Sequence, residues 1–278
     1  MRGTLTIARL TWIEARRRRI ALAAAAAGLL FLLVYGAAIY LIRRSATASG
    51  PIDFVQWRVQ LEFLALAGLY VVNFLTVAVA IMLPVDTLSG EISSGVMQTV
   101  ASKPIRRSAI LLGKWLTYWL MTGAYLLLMA GGIVLIMRFI LGFEQPHLAR
   151  ALALMLLGAT VMLSVSTAGG VRLTTISNGI VAFAFYGVAF LGGWVEQIGA
   201  FTRNEGARYI GTAISLLSPS DAMWRRAAYE LQPPVMRDLQ LTPFAAASVP
   251  SAAMIVWTCG FVAVVLIAAL RQFRRRAL

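Results

Sequence analysis

An imidazole beside a hydroxyl or thiol could make a nucleophile, a cluster of imidazoles, thiols and carboxylates could hold a metal, and a glycine-rich turn before a lysine could cradle phosphate. The chain has one histidine, His147, in a short loop between apolar runs, and one cysteine, Cys259, inside the last apolar run. A nucleophile needs a base and a third group to orient it, and His147 has no second nitrogen or sulfur ligand near it. Neither a catalytic constellation nor a structural metal site is expected, and one thiol forms no internal disulfide. Leu112-Gly113-Lys114-Trp115 ends like a phosphate-binding loop. The glycine that such a loop needs five residues earlier is Ser108, however, and Trp115 stands where a Ser or Thr would hold magnesium. No cofactor and no nucleotide site is expected on this chain, so it reads as a non-enzyme.

One long polar stretch remains, from Pro84 to Lys114. Leu88, Ile92, Val96 and Val100 recur every four residues and give an apolar ridge on a short helix. Asp86 near its start suits the helix dipole. Gly90 and Gly95 each weaken a continuous helix by about 1 kcal/mol, which predicts a bend or a close backbone approach. Lys103 is pushed to an extended conformation by Pro104, and Arg106, Arg107 and Lys114 ring the start of the next apolar run. A ridge of this kind with one exposed carboxylate, Glu91, suits a helix lying in a groove of another protein; an amphipathic helix resting on lipid is the alternative.

The elements around this stretch are apolar. Sixty per cent of the 278 residues are hydrophobic and 13% are charged, against roughly 25% charged in soluble domains; mean hydropathy is +0.79. Crossing the hydrocarbon core takes about 20 apolar residues as a helix, and six segments qualify: Ile20–Ile42, Phe63–Leu83, Ser108–Met137, Leu148–Ala168, Thr175–Val195 and Pro250–Leu270. Alternating barrel strands are absent, so the class is all-α integral membrane protein. Ile20–Ile42 is too long for a secretory h-region, despite Ala46-Thr47-Ala48 after it, and reads as a retained first span. No span carries an ionisable residue in its middle; Lys114 lies near a helix end, where it can snorkel. This argues against proton- or sodium-coupled carriers and voltage sensors. Asn73 and Asn178 read as helix–helix hydrogen-bonding groups, and Gly123, Gly131 and Gly132 as close-packing positions.

The net charge of +14 sits at the edges of apolar runs, in Arg16 to Arg19, Arg106 with Arg107, and Arg271 with Arg274 to Arg276. That is the pattern of flanks anchored at an anionic leaflet, without the interleaved aromatics of nucleic-acid binding. With both termini cytoplasmic, 15 of the 25 Lys and Arg fall inside. Residues 1–19 form a cytoplasmic segment in which Leu5, Ala8 and Trp12 share a face. An interfacial helix and a frayed basic terminus fit equally. Residues 196–249 form the large outer segment. There Ala207–Leu217 is too short to span, and Ser220 could cap a helix Asp221–Leu231 with Met223, Trp224, Ala227 and Leu231 on its apolar face. This segment is expected to hold short interfacial or partly re-entrant helices.

The stretch S-G-E-I-S-S-G-V-M-Q-T-V-A-S-K-P-I-R-R-S-A-I-L-L-G-K resembles the cytoplasmic loop of type-2 ATP-binding-cassette exporter permeases. Glu91, Gly95, Pro104, Arg106, Gly113 and Lys114 carry the match, and the six-span layout with a long last outer loop is similar over the whole chain. The resemblance implies one permease domain over 1–278, with a coupling loop at 84–109 between spans two and three. It also implies a dimer with a second permease copy or paralogue, and two ABC ATPase subunits that hold the ATP and magnesium. On that reading Leu88, Ile92 and Val96 fill a groove of the ATPase, with Gly95 in the same element and Glu91 as the polar contact. Pro104, Arg106, Arg107, Gly113 and Lys114 form the hinge and membrane anchor. A second reading is similar to permeases of cofactor-assembly or envelope-remodelling complexes, which transmit ATPase motion to an extracytoplasmic partner docked at 196–249. Either places the chain in the plasma or inner membrane.

Overall fold

The computed structural model of the chain describes residues 2–17, 19–48, 53–93, 106–233 and 248–275. In chain order its helices are α1 (Arg2–Arg17), α2 (Arg19–Ala48), α3 (Phe54–Val85), α4 (Thr87–Ser93), α5 (Arg107–Leu141), α6 (Leu148–Gly169), α7 (Thr175–Phe201), α8 (Glu205–Leu217), α9 (Ser220–Leu231) and α10 (Ala252–Arg275). Six of them, α2, α3, α5, α6, α7 and α10, are long and apolar enough to cross a membrane. Their order matches the six expected spans.

The helices outrun the apolar runs that signalled them. α3 starts at Phe54, nine residues before the expected Phe63, and α7 continues to Phe201, six past Val195. Once nucleated, a helix adds residues cheaply, so polar residues flanking an apolar run join it until a terminator intervenes. α5 stops at Gly142, which takes a left-handed conformation (φ 64°) and donates its N–H back to Arg138 and Met137. α3 stops just beyond Pro84, whose ring cannot continue the ladder. This extension brings two acids into the spanning helices, Glu62 and Glu196, both buried. Both lie just outside the expected spans, near the helix ends, where the middle-of-span expectation did not reach.

α3 and α6 are the most buried spanning helices, while α2 and α10 expose most of their surface. Leu30, Leu33 and Val34 on α2 and Val256 and Val264 on α10 face outward, as lipid-facing positions do. Both ends of the chain meet at one end of the bundle. There Phe273 and Ala269 of α10 pack on Ile110 and Leu111 of α5 and on Val171 of the α6–α7 turn. α1 lies along the start of α5: Thr117 Oγ1 donates to Ala8 O at 3.0 Å. A methyl at Gly113 would sit 2.8 Å from Thr4 O, so only glycine admits this approach. The buried face of α1 is Ile7, Thr11 and Ala15, while Trp12 is exposed. Of the Leu5–Ala8–Trp12 face expected at the interface, Trp12 is exposed and Ala8 half-buried. The side chain that packs on Gly113 is Ile7.

At the opposite end, α8 folds back along α7. Ser215 Oγ donates to Glu196 Oε2 at 3.1 Å, and farther along Ser218 Oγ donates to Phe185 O at 3.4 Å. α9 then returns through the bundle, with Ala222, Met223, Trp224, Ala227, Ala228 and Leu231 in its core. Gly158, halfway along α6, lets Ser220 O approach to 2.9 Å from where a methyl would stand. Trp224 meets the Tyr70 ring, halfway along α3, edge-on at 5.4 Å. α8 and α9 thus form a re-entrant hairpin reaching the midpoints of spans two and four. The expected apolar face of α9 is the buried one. Ser220 is not its cap: Pro219 holds that position, and Ser220 Oγ is buried without a partner.

Candidate functional site

The polar stretch leaving span two enters a junction at the end of the bundle that carries both termini. α3 ends at Val85 and α4 begins at Thr87, so Asp86 is the joint between them. Thr175, the first residue of α7, donates to Asp86 Oδ1 at 2.7 Å and shares a hydrogen bond with Ser89 Oγ at 2.9 Å. Thr87 Oγ1 and Tyr118 OH of α5 share another at 2.5 Å. Asn178 of α7 donates through Nδ2 to Ser166 O of α6 at 2.9 Å and to Val85 O at 3.3 Å, and Ser166 Oγ donates to Ile81 O at 2.8 Å. The helix–helix role expected of Asn178 is the one it has. Gly90 is also accounted for, since a methyl there would meet Asp86 Oδ1 at 2.6 Å.

Glu91 and Lys114 close the junction. Lys114 Nζ donates to Glu91 Oε1, and the two side chains are 8% and 14% exposed. Glu91, read from the sequence as an exposed carboxylate, is turned inward onto α5. Lys114, read as snorkelling, is buried by the same pair: a charge with a local counter-ion need not reach for water. Of the other residues singled out, Leu88 and Ile92 lie on the α4 backbone, with side chains outside the described set. Gly95, Val96 and Pro104 fall outside the described residues. Arg106 precedes α5, and Arg107 Nη1 donates to Arg274 O of α10 at 3.2 Å. The structure therefore joins Glu91, Lys114 and Gly113 around the start of span three.

A second polar cluster, at the far end, escaped the sequence reading. Arg225 of α9, 4% exposed, donates through Nε to Asp221 Oδ2 (3.0 Å) and through Nη2 to Glu196 Oε2 (3.0 Å) and Ser215 Oγ (2.8 Å). Ser248 Oγ donates to Glu196 Oε1 at 2.6 Å. Four segments are thereby pinned together: α7, α8, α9 and the strand of chain entering span six. The signal available was the i, i+4 spacing of Asp221 and Arg225; Glu196 is too distant in sequence to have been added.

A six-span bundle, a short helix knitted into three spans and a re-entrant far-end hairpin are the setting for the comparison with known families. The model of the ABC-2 family transporter protein matches residues 5–278. The chain belongs to the ABC-2 transporter family. No curated protein matches it. As a member of this family it is a multi-pass membrane protein and an ABC transporter permease subunit, the kind of chain that works with an ABC ATPase. Permeases of this family are typically non-catalytic.

Proposed function

We propose that this permease is half of the translocation path of an ATP-driven exporter, and that it couples to its ATPase through residues 84–109. The end carrying the termini then faces the cytoplasm, where the basic flanks meet an anionic leaflet. ATP and magnesium are held by the ATPase, present in two copies, and a second permease copy or paralogue completes the path. Leu88, Ile92 and Val96 are the docking ridge, with Gly95 in the same element; Pro104, Arg106 and Arg107 hold the loop that returns to span three.

The observation that carries this reading is the junction itself. α4 is tied to α5 by Glu91–Lys114 and Thr87–Tyr118 and to α7 by Asp86–Thr175–Ser89. A push on α4 reaches spans two, three and five through short bonds, with no flexible linker between. Glu91 accordingly acts as a positioning residue that holds the docking helix on α5.

Two experiments test the proposal. Leu88→Arg with Ile92→Arg should abolish co-purification of the ATPase with the full-length permease; retained association removes the ridge from the interface. Glu91→Lys and Lys114→Glu should each uncouple ATP hydrolysis from transport in the reconstituted complex, and the double swap should restore part of the coupling. If the single variants hydrolyse and transport at the wild-type ratio, the pair has no place in transmission.

A further inference from the structure

Beside the Arg225 cluster lies a cavity of about 450 Å³, between the hairpin α8–α9 and the first turns of α10. That volume falls within the roughly 300–1,000 Å³ of small-molecule sites. Its polar end is Glu196 with Arg225, flanked by the Thr212 and Ser251 hydroxyls, and Met254 and Trp257 form its apolar wall. The charged groups at that end are buried inside the protein, 6% exposed for Glu196 and 4% for Arg225. They are fixed before any ligand arrives.

The sign of a ligand's charge follows from how those groups are committed. The Arg225 guanidinium is engaged on every nitrogen: Nε to Asp221, Nη2 to Glu196 and Ser215, Nη1 to Ser248 O at 3.5 Å. Two carboxylates, Glu196 and Asp221, face this one guanidinium, so the cluster holds one negative charge in excess (−2 + 1 = −1). Glu196 Oε1 accepts from Ser248, and a carboxylate oxygen has a second lone pair to offer. Trp257 donates its indole N–H to Leu216 O at 2.9 Å. That bond holds the ring at the cavity wall, and the ring face, which is negative, is the part that attracts cations.

We propose that this cavity binds an amphipathic organic cation, its positive head between Glu196 and the Trp257 ring and its apolar body against Met254. An anionic ligand would meet the excess carboxylate. A neutral one would leave the excess negative charge of the cluster unmatched.

Tetraphenylphosphonium and tetraphenylborate share a shape and differ in sign, which makes them the probes. Equilibrium dialysis of the purified full-length permease in detergent, corrected for empty micelles, should show saturable phosphonium binding at one per chain and no saturable borate binding. Glu196→Gln should weaken phosphonium binding by tenfold or more and Trp257→Leu by about three- to tenfold. Ser251→Trp, at an exposed position, should abolish binding by filling the cavity. Trp257 and Ser251 are surface positions, so the test stands even where Glu196→Gln misfolds. Equal saturable binding of phosphonium and borate overturns the proposal, as does phosphonium binding unchanged by Trp257→Leu and Ser251→Trp. Loss of phosphonium binding leaves ATPase association intact, so the cavity and the coupling junction are judged separately.

Discussion

The permease has a polar knot at each end of its bundle, and the two are built differently. The terminal-end junction uses mostly hydroxyls, with one amide, the Asp86 carboxylate and a single enclosed ion pair, Glu91–Lys114. The far-end knot places a guanidinium and two carboxylates where each is almost fully enclosed. Hydroxyl bonds contribute about 1 kcal/mol each and can be exchanged for others. Enclosed charges cannot be separated without stranding one of them, at a cost of several kcal/mol. On the coupling proposal, the first, mostly exchangeable hydroxyl bonds around one enclosed pair, suits an element that shifts as a unit with α5, and the second, a three-charge knot, one that stays closed.

The sharpest way to break this contrast is Arg225→Ala. It strands Glu196 and Asp221 in the bundle and should cost about 3–5 kcal/mol, the range for removing one partner of a buried pair. Thermal unfolding in detergent reads this directly. Arg225→Met together with Glu196→Gln and Asp221→Asn should recover much of the loss, because no buried charge then remains. A small shift for Arg225→Ala would mean that the far-end knot is as replaceable as the near one.

A smaller and more local effect is expected at Gly113. A side chain there drives into the Thr4 carbonyl and the Ile7 side chain, and overpacking of this kind costs about 1–3 kcal/mol. α1 touches the bundle chiefly along α5, so Gly113→Val should release α1 and leave the spans in place. Hydrogen exchange would show lost protection over residues 4–15 with unchanged protection in α6. Uniform loss would make α1 part of the rigid bundle, and the terminal end would no longer be the looser one.

These two sites also mark what could be read in advance. The six spans were legible because hydropathy over 20 residues outweighs local detail, and the apolar face of α9 was legible from its spacing. Its depth was not. Asp221 and Arg225 look like solvent-facing residues until Glu196, 29 residues earlier than Arg225, joins them and makes burial tolerable. Glu91 and Lys114, 23 residues apart, pose the same problem: each charge was read by itself, one as exposed and one as snorkelling. Pairing across elements is a property of the packed bundle. For α1 an interfacial face was read but no packing face, because Gly113, which admits Ile7, lies on another helix.

The least disruptive test sets one hydroxyl at each end against the other. Thr175→Val removes the donor to Asp86 and the bond to Ser89 while keeping the side chain's shape; Ser215→Ala removes the donor to Glu196 and the acceptor for Arg225. Each should lower stability by only about 0.5–1.5 kcal/mol for a lost hydrogen bond. Ser215→Ala belongs at the upper end, since its partners are ionic and enclosed. Activity should run in the opposite order. If the terminal junction transmits motion, Thr175→Val lowers the amount of transport per ATP hydrolysed in the reconstituted complex, because α4 can then shift without carrying α7 with it. Ser215→Ala leaves that ratio unchanged, its effect being confined to holding the hairpin. Transport ratios that fall equally in both variants would show that the hairpin moves with the cycle, and the division between a moving end and a fixed end would be wrong.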